Sequence, residues 1–232
     1  MVEKSQTPEM FTAIARRYDL LNHLLSLNVD RSWRRALVAM AQVGDGETVL
    51  DVATGTGDVA VQFARRSRAA AVVGLDRSPG MLEVARDKLR RAGLDGRILM
   101  IEGDALDMPF GDHTFDAVTV AFGLRNLPDY GAGVREMARV LKPGGRLLVL
   151  EFFPPTAGAF LRLYHLYLRT VLPVVGRTVS GSGDAYDYLS SSIRGFATLD
   201  ELHQLFSAAG LERITRRRLT GGISYIHCGI KS

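Results

Sequence analysis

Glycines that open a tight turn, acids placed just beyond apolar runs, and an arginine beside an asparagine are the residues of this chain whose spacing can do chemistry. Gly55, Gly57 and Ala60 follow the apolar run Val49, Leu50, Val52 with the spacing G-x-G-x-x-A, and a helical pattern opens at Asp58 and runs to Arg66. Glycine permits a tight reversal and lets backbone N–H groups approach a ligand that a Cβ would push away. Asp76 closes the next apolar run, Ala71 to Asp76, about 20 residues on, where a carboxylate accepts both hydroxyls of a ribose. A bare βα turn would explain the glycines but not the strand, turn, helix and distal acid in that order. A further acid, Asp104 in Gly103-Asp104-Ala105, follows a third apolar run, Ile98 to Glu102.

This pattern alone fits any adenosine ligand. An NAD-dependent dehydrogenase would use Gly55, Gly57 and Asp76 equally well, yet would leave Asp104 without a task. Asp51, in the turn region, and Asp104 put negative charge where a pyrophosphate prefers bare helix N–H groups. A cation suits the acids better. S-adenosylmethionine carries a sulfonium, an α-amino group, a ribose and an adenine, and no phosphate.

The turn, Asp76, Gly103-Asp104-Ala105, Met108-Pro109-Phe110 and Leu141-Lys142-Pro143-Gly144-Gly145 together resemble the class I S-adenosylmethionine-dependent methyltransferases. More narrowly, Phe11-x-x-Ile14-Ala15-x-x-Tyr18-Asp19, Phe122-Gly-Leu-Arg-Asn126, Leu148-Val-Leu-Glu-Phe152 and Leu219-Thr-Gly-Gly-Ile223 resemble the quinone C-methyltransferases that finish menaquinone and ubiquinone. The resemblance runs from about Phe11 to the C-terminus. It implies a Rossmann-like α/β fold, a mostly parallel seven-stranded sheet with helices on both faces and a C-terminal antiparallel hairpin. It implies S-adenosylmethionine contacts from Asp51, Gly55, Thr56, Gly57, Asp58, Asp76, Arg77, Asp104, Ala105 and Ala121, and substrate-side roles for Arg125, Asn126 and Tyr18. At Ala121 relatives often carry a serine, so only backbone contact is expected there. The implied acceptor is demethylmenaquinol. A polyprenyl methoxybenzoquinol is the first alternative, another small molecule or sterol the second, and a cofactor-binding regulator without turnover stands outside the enzymes.

Methyl transfer from a sulfonium leaves a neutral thioether that needs no acid, so the protein must supply alignment and an electron-rich carbon. A quinol carbon becomes nucleophilic when the adjacent hydroxyl ionises, and a phenol pKa near about 10 requires that the oxyanion be stabilised or its proton removed. Arg125, with a pKa above about 12, suits the first task and is a poor base unless water carries the proton. Asn126 can donate to the same oxygen or orient that water. Without the resemblance, a surface salt bridge for Arg125 and a turn before Pro128 for Asn126 would be the simpler assignments.

The elements that must position these groups follow a βα rhythm. Helical periods cover Glu9 to Leu27 and Asp30 to Val43 before the first strand, forming a cap over residues 1–46 that covers the ligand cleft. Ser78 reads as an N-cap, Pro79 as the first helical position and Gly93 as the stop of a helix whose body is Met81 to Leu89. Thr114 to Ala121 is a strand, Val134 to Leu141 a helix stopped by Pro143, Gly145 to Phe152 a strand buried on both faces, and Leu199 to Ala209 a helix. Residues 153–197 form an apolar insertion whose segment Phe160 to Leu172 is helical in period, with Arg162, His165 and Arg169 on one stripe. It spans only about 20 Å, too short for a bilayer but suited to roofing a polyprenyl tail or resting in a membrane interface. Leu211 to Leu219, Thr220-Gly221-Gly222 and Ile223 to Lys231 read as a hairpin turning at positive φ.

The 232 residues, 47% hydrophobic, suffice for one α/β domain across the chain. Cys228 is the sole cysteine, which excludes a disulfide framework and reads as a packed thiol, while the histidines lack metal spacing. The polar start and the lack of a membrane-length apolar run place the protein in the cytoplasm. Net charge is +4 with pI about 9.4, and runs such as Arg216-Arg217-Arg218 carry no interleaved aromatics for nucleic acid. The excess charge favours a peripheral stay on the anionic inner face of the cell membrane. A second copy of the chain is the other allowed partner.

Overall fold

The computed structural model describes residues 28–153 and 195–232 together with Thr12, Ala15, Ser26, Ser192 and Ile193. Among these, α1 (Asp30–Ala41) precedes β1 (Thr48–Val52), α2 (Asp58–Arg66), β2 (Ala71–Asp76), α3 (Pro79–Ala92) and β3 (Ile98–Glu102). They are followed by β4 (Phe115–Ala121), α4 (Tyr130–Val140), β5 (Leu141–Phe152), α5 (Leu199–Ala208), β6 (Leu211–Leu219) and β7 (Ser224–Lys231). Short 3-10 turns occupy Leu124–Asn126 and Thr220–Gly222. Tyr18, most of the first helical period and the segment Phe160 to Leu172 lie outside the described residues.

The seven strands form one sheet in the order β3-β2-β1-β4-β5-β7-β6. β1 to β5 run parallel, and β7 enters antiparallel between β5 and β6. Side chains alternate across β5. Leu148 and Leu150 pack with Leu37, Phe63 and Leu82 on the face of α1, α2 and α3, while Leu147 and Val149 pack with Met137 and Phe206 on the face of α4 and α5. Such fully buried side chains contribute about 1.5–3 kcal/mol each. A strand covered on both faces must be apolar where it is covered, and from Leu147 to Phe152 β5 is, except for Glu151.

The helix ends follow local chemistry. The Ser78 hydroxyl accepts from the Met81 N–H, Pro79 sits in the first turn, and Gly93 closes α3 at φ 64°. Thr198 and Glu201 form a reciprocal capping box at the start of α5.

The starts of α4 and β5 differ most from the sequence expectation. α4 begins at Tyr130, capped by the Asp129 carboxylate, which accepts from the Ala132 N–H, and not at Val134. Gly131 and Gly133 weaken the helical signal there, while Gly133 packs closely on Leu127, whose Cδ1 a Cβ would meet at 2.5 Å. β5 begins at Leu141 and carries Pro143 within it. Phe115 pairs with Leu141 and Ala117 with Arg146, so the extra residues between them bulge out of register, where proline's missing N–H costs no ladder bond.

Candidate active site

In a parallel sheet the ligand lies beyond the carboxyl ends of the strands. There a cleft is lined by Gly55 after β1, Asp76 and Arg77 after β2, Asp104 and Ala105 after β3, and Ala121 and Asn126 at and after β4. The structure thus gathers seven of the residues singled out in the sequence. Leu75, Met81 and Leu127 supply apolar wall suited to an adenine.

Asp76 organises the turn. Its Oδ2 accepts the Gly55 N–H at 2.7 Å and its Oδ1 the Ser78 N–H at 2.8 Å. Burial raises its pKa, opposed by those backbone donors and that of Arg77. Each carboxylate oxygen retains a lone pair, enough for two ribose hydroxyls. The glycine N–H that would greet a phosphate is already given to a carboxylate, so the cleft fits a cationic, phosphate-free nucleoside and disfavours a dinucleotide. Asp104 is half exposed, with Oδ1 accepting from the Leu106 N–H at 2.9 Å and Oδ2 lying 3.5 Å from Arg77. The Thr12 hydroxyl stands 2.8 Å from that of Ser78, at the cleft's edge.

Asp51 lies beneath the cleft, outside its lining. It is 1% exposed, and Thr54 and Thr119 donate their hydroxyls to it at 2.6 and 2.9 Å. Burial pushes its pKa up to about 7, against those hydroxyls and the nearby Arg34, with Asp76 adding to the rise. A cation in the cleft would favour the charged forms of both acids. Gly57, at φ 79°, shapes the turn from behind, where a Cβ would meet Met100 Cε at 2.8 Å. Thr56 and Asp58 face α3, where Lys88 Nζ donates to both at 3.1 and 2.7 Å.

Arg125 departs most from its sequence assignment. It is 6% exposed and absent from the cleft lining. Its Nη1 donates to Glu151 Oε2 at 2.8 Å, Glu151 Oε1 at 3.0 Å and the Phe122 carbonyl at 2.7 Å, and its Nε reaches Ser192 Oγ at 3.4 Å. A buried ion pair therefore replaces the simple picture of an arginine facing solvent. The sequence signal for Glu151 is one acid closing the apolar run Leu147 to Leu150, because a charge so placed must find a partner.

The same end of the sheet carries an aromatic wall. Phe122, at φ 60°, stacks on Phe152 with centroids 4.5 Å apart, and Trp33 packs against both. Trp33 also donates its indole N–H to Thr220 Oγ1 at 2.8 Å. Left-handed non-glycine residues cost about 1–3 kcal/mol and cluster at functional sites; Ala53 and Phe122 both flank this cleft.

Against known proteins, the chain matches the ubiE/COQ5 methyltransferase family over residues 1–231. The chain belongs to that family. A demethylmenaquinone methyltransferase of Deinococcus radiodurans is 49% identical over 223 residues, covering 96% of this chain and 91% of that one. A ubiquinone/menaquinone biosynthesis C-methyltransferase of Idiomarina loihiensis is 41% identical over 230 residues, covering 99% and 92%. Among solved structures, a SAM-dependent methyltransferase from Aquifex aeolicus superposes with a TM-score of 0.62 at 18% identity, covering 86% and 89%, which speaks to fold. The protein is accordingly an S-adenosylmethionine-dependent methyltransferase, and the dehydrogenase alternative is withdrawn. When bound, S-adenosylmethionine supplies a methyl group on a sulfonium. Among the residues that line the cleft, Asp76 offers carboxylate oxygens, Leu75 and Met81 apolar surface, and Asn126 a side-chain amide.

Proposed function

We propose that this protein C-methylates demethylmenaquinol, giving menaquinol. The observation that carries the reading is Asn126, part of the Phe122-Gly-Leu-Arg-Asn126 block, on the wall of the cofactor cleft. There its amide can donate to the quinol oxygen as the adjacent ring carbon takes the methyl group and then loses its proton. Arg125, its Nη1 held by Glu151 and the Phe122 carbonyl, stands next to Asn126 behind that wall. The names of the Deinococcus and Idiomarina relatives support a quinone acceptor. The second of them also favours a polyprenyl methoxybenzoquinol as the alternative substrate. An apolar insertion at 153–197 and an excess of basic residues suit a cytoplasmic enzyme that works at the inner face of the membrane, where a polyprenyl tail resides. Among the described residues, no helix is long and apolar enough to cross a membrane.

Methyl transfer from radiolabelled S-adenosylmethionine to reduced demethylmenaquinone and to reduced polyprenyl methoxybenzoquinone in detergent tests the proposal. Label is expected in the naphthoquinol. Label in the benzoquinol alone moves the protein to the alternative, and label in neither removes the quinone assignment.

A further inference from the structure

The end of β5 buries a full negative charge that cofactor contact does not explain. Glu151 is 0% exposed and lies outside the cleft lining. Both its oxygens accept from Arg125 Nη1, Oε1 also faces the Arg125 N–H at 3.4 Å, and Oε2 takes the Phe152 N–H at 3.0 Å. A carboxylate held this way is charge-assisted at every contact and fixes the group it binds in both charge and direction.

What it fixes is a turn. Arg125 Nη1 also donates to the Phe122 carbonyl, and Asn126 Nδ2 lies 3.4 Å from that same oxygen. Phe122 sits at φ 60°, a conformation its side chain disfavours, and its N–H is pinned to the Leu150 carbonyl at 2.8 Å. One carboxylate on β5 therefore holds one guanidinium, which holds one strained carbonyl, beside which Asn126 enters the cleft. We propose that Glu151 is a positioning residue for methyl transfer: through Arg125 it locks the turn from Phe122 to Asn126, so that Asn126 meets the acceptor in the orientation the reaction needs. The proposal rests on the acceptor side of the cleft being the Asn126 wall, as in the function proposed above.

The test uses the full chain and two variants. Glu151→Asp keeps the charge that Arg125 needs and shortens the reach, so it isolates position from burial; Glu151→Gln keeps the shape and removes the charge. Hydrogen exchange of the Arg125, Asn126 and Leu127 amides reads the turn directly. Those amides bond to Glu151 Oε1, the Gly123 carbonyl and the Leu124 carbonyl, so their exchange rises when the lock loosens.

In the quinol assay, Glu151→Asp is expected to lower kcat by about tenfold or more while KM and the dissociation constant for S-adenosylhomocysteine stay within about threefold. Combined with Arg125→Ala it is expected to cost no more than Arg125→Ala alone, the non-additivity of two residues acting as a unit. Unchanged exchange together with unchanged kcat in both variants overturns the proposal. So does an equal loss of cofactor affinity and kcat accompanied by a fallen Tm, which marks a merely structural acid. If the wild type methylates neither quinol but exchange in the turn rises, the assigned function fails and the lock stands.

Discussion

Replacing Asp76 with alanine removes the carboxylate on which the cofactor turn is built. In the structure that carboxylate already accepts from Gly55 and Ser78, and its two remaining lone pairs are those available to a ribose. Hydrogen bonds to charged groups are worth about 1.5–3 kcal/mol each, so losing two to the ligand costs about 3–6 kcal/mol. That corresponds to roughly 10²- to 10⁴-fold in Kd. Titration calorimetry with S-adenosylhomocysteine reads this, with circular dichroism confirming that the variant is folded. Asp76→Asn sharpens the test. Its side-chain oxygen can still accept from Ser78, but its amide then confronts the Gly55 N–H donor with another donor, so affinity is expected to fall nearly as far. A Kd within about threefold of wild type for Asp76→Ala would refute the ribose placement.

Other consequences can be read from stability. Asp51 is raised by burial to about 7, so its contribution is fully present below the unfolded carboxylate range and is lost as pH rises towards 7. Asp51→Asn should therefore gain on wild type in the unfolding free energy from urea titrations between pH 4 and pH 7, by up to a few kcal/mol; a pH-independent difference would refute it. His227 is fully buried with neither ring nitrogen hydrogen-bonded, and burial lowers its pKa to about 4, although the Leu199 backbone and Asp200 favour the charged form. Its stability contribution is present above about 6.5 and lost as pH falls towards 4, so His227→Leu should flatten acid unfolding across that window. Gly57→Ala forces a Cβ onto φ 79° and against Met100, with an expected loss of about 1–2 kcal/mol and a lower Tm.

Much of the architecture was legible because it is local. Ser78, Pro79 and Gly93 bracket α3 by their own backbone preferences, and Thr220-Gly221-Gly222 turns the hairpin with Gly221 at φ 67° and Gly222 at φ 96°. The glycine turn and the acids beyond β2 and β3 were legible for the same reason. What sequence could not give depends on partners far along the chain. Pro143 reads as a helix stop until the pairing of β4 with β5 reveals the bulge that accommodates it. Arg125 reads as a ligand-facing cation until Glu151, 26 residues on, is seen to claim Nη1. Asp51 reads as part of the ligand shell until Thr119 is found beneath it.

The indole of Trp33 and the hydroxyl of Thr220 are 187 residues apart in sequence and 2.8 Å apart in space. β5, which carries Glu151 and Phe152, likewise acquires its second neighbour only when β7, the final strand, arrives. On a ribosome emitting roughly 5–20 residues per second, the glycine turn emerges well before the hairpin that braces the opposite wall. The glycine turn and the strand that completes the flank of β5 therefore emerge at different moments of synthesis. A chain cut before β6 would retain the residues that line the cleft beyond β1 to β4 while lacking the strand that flanks β5 on its other side.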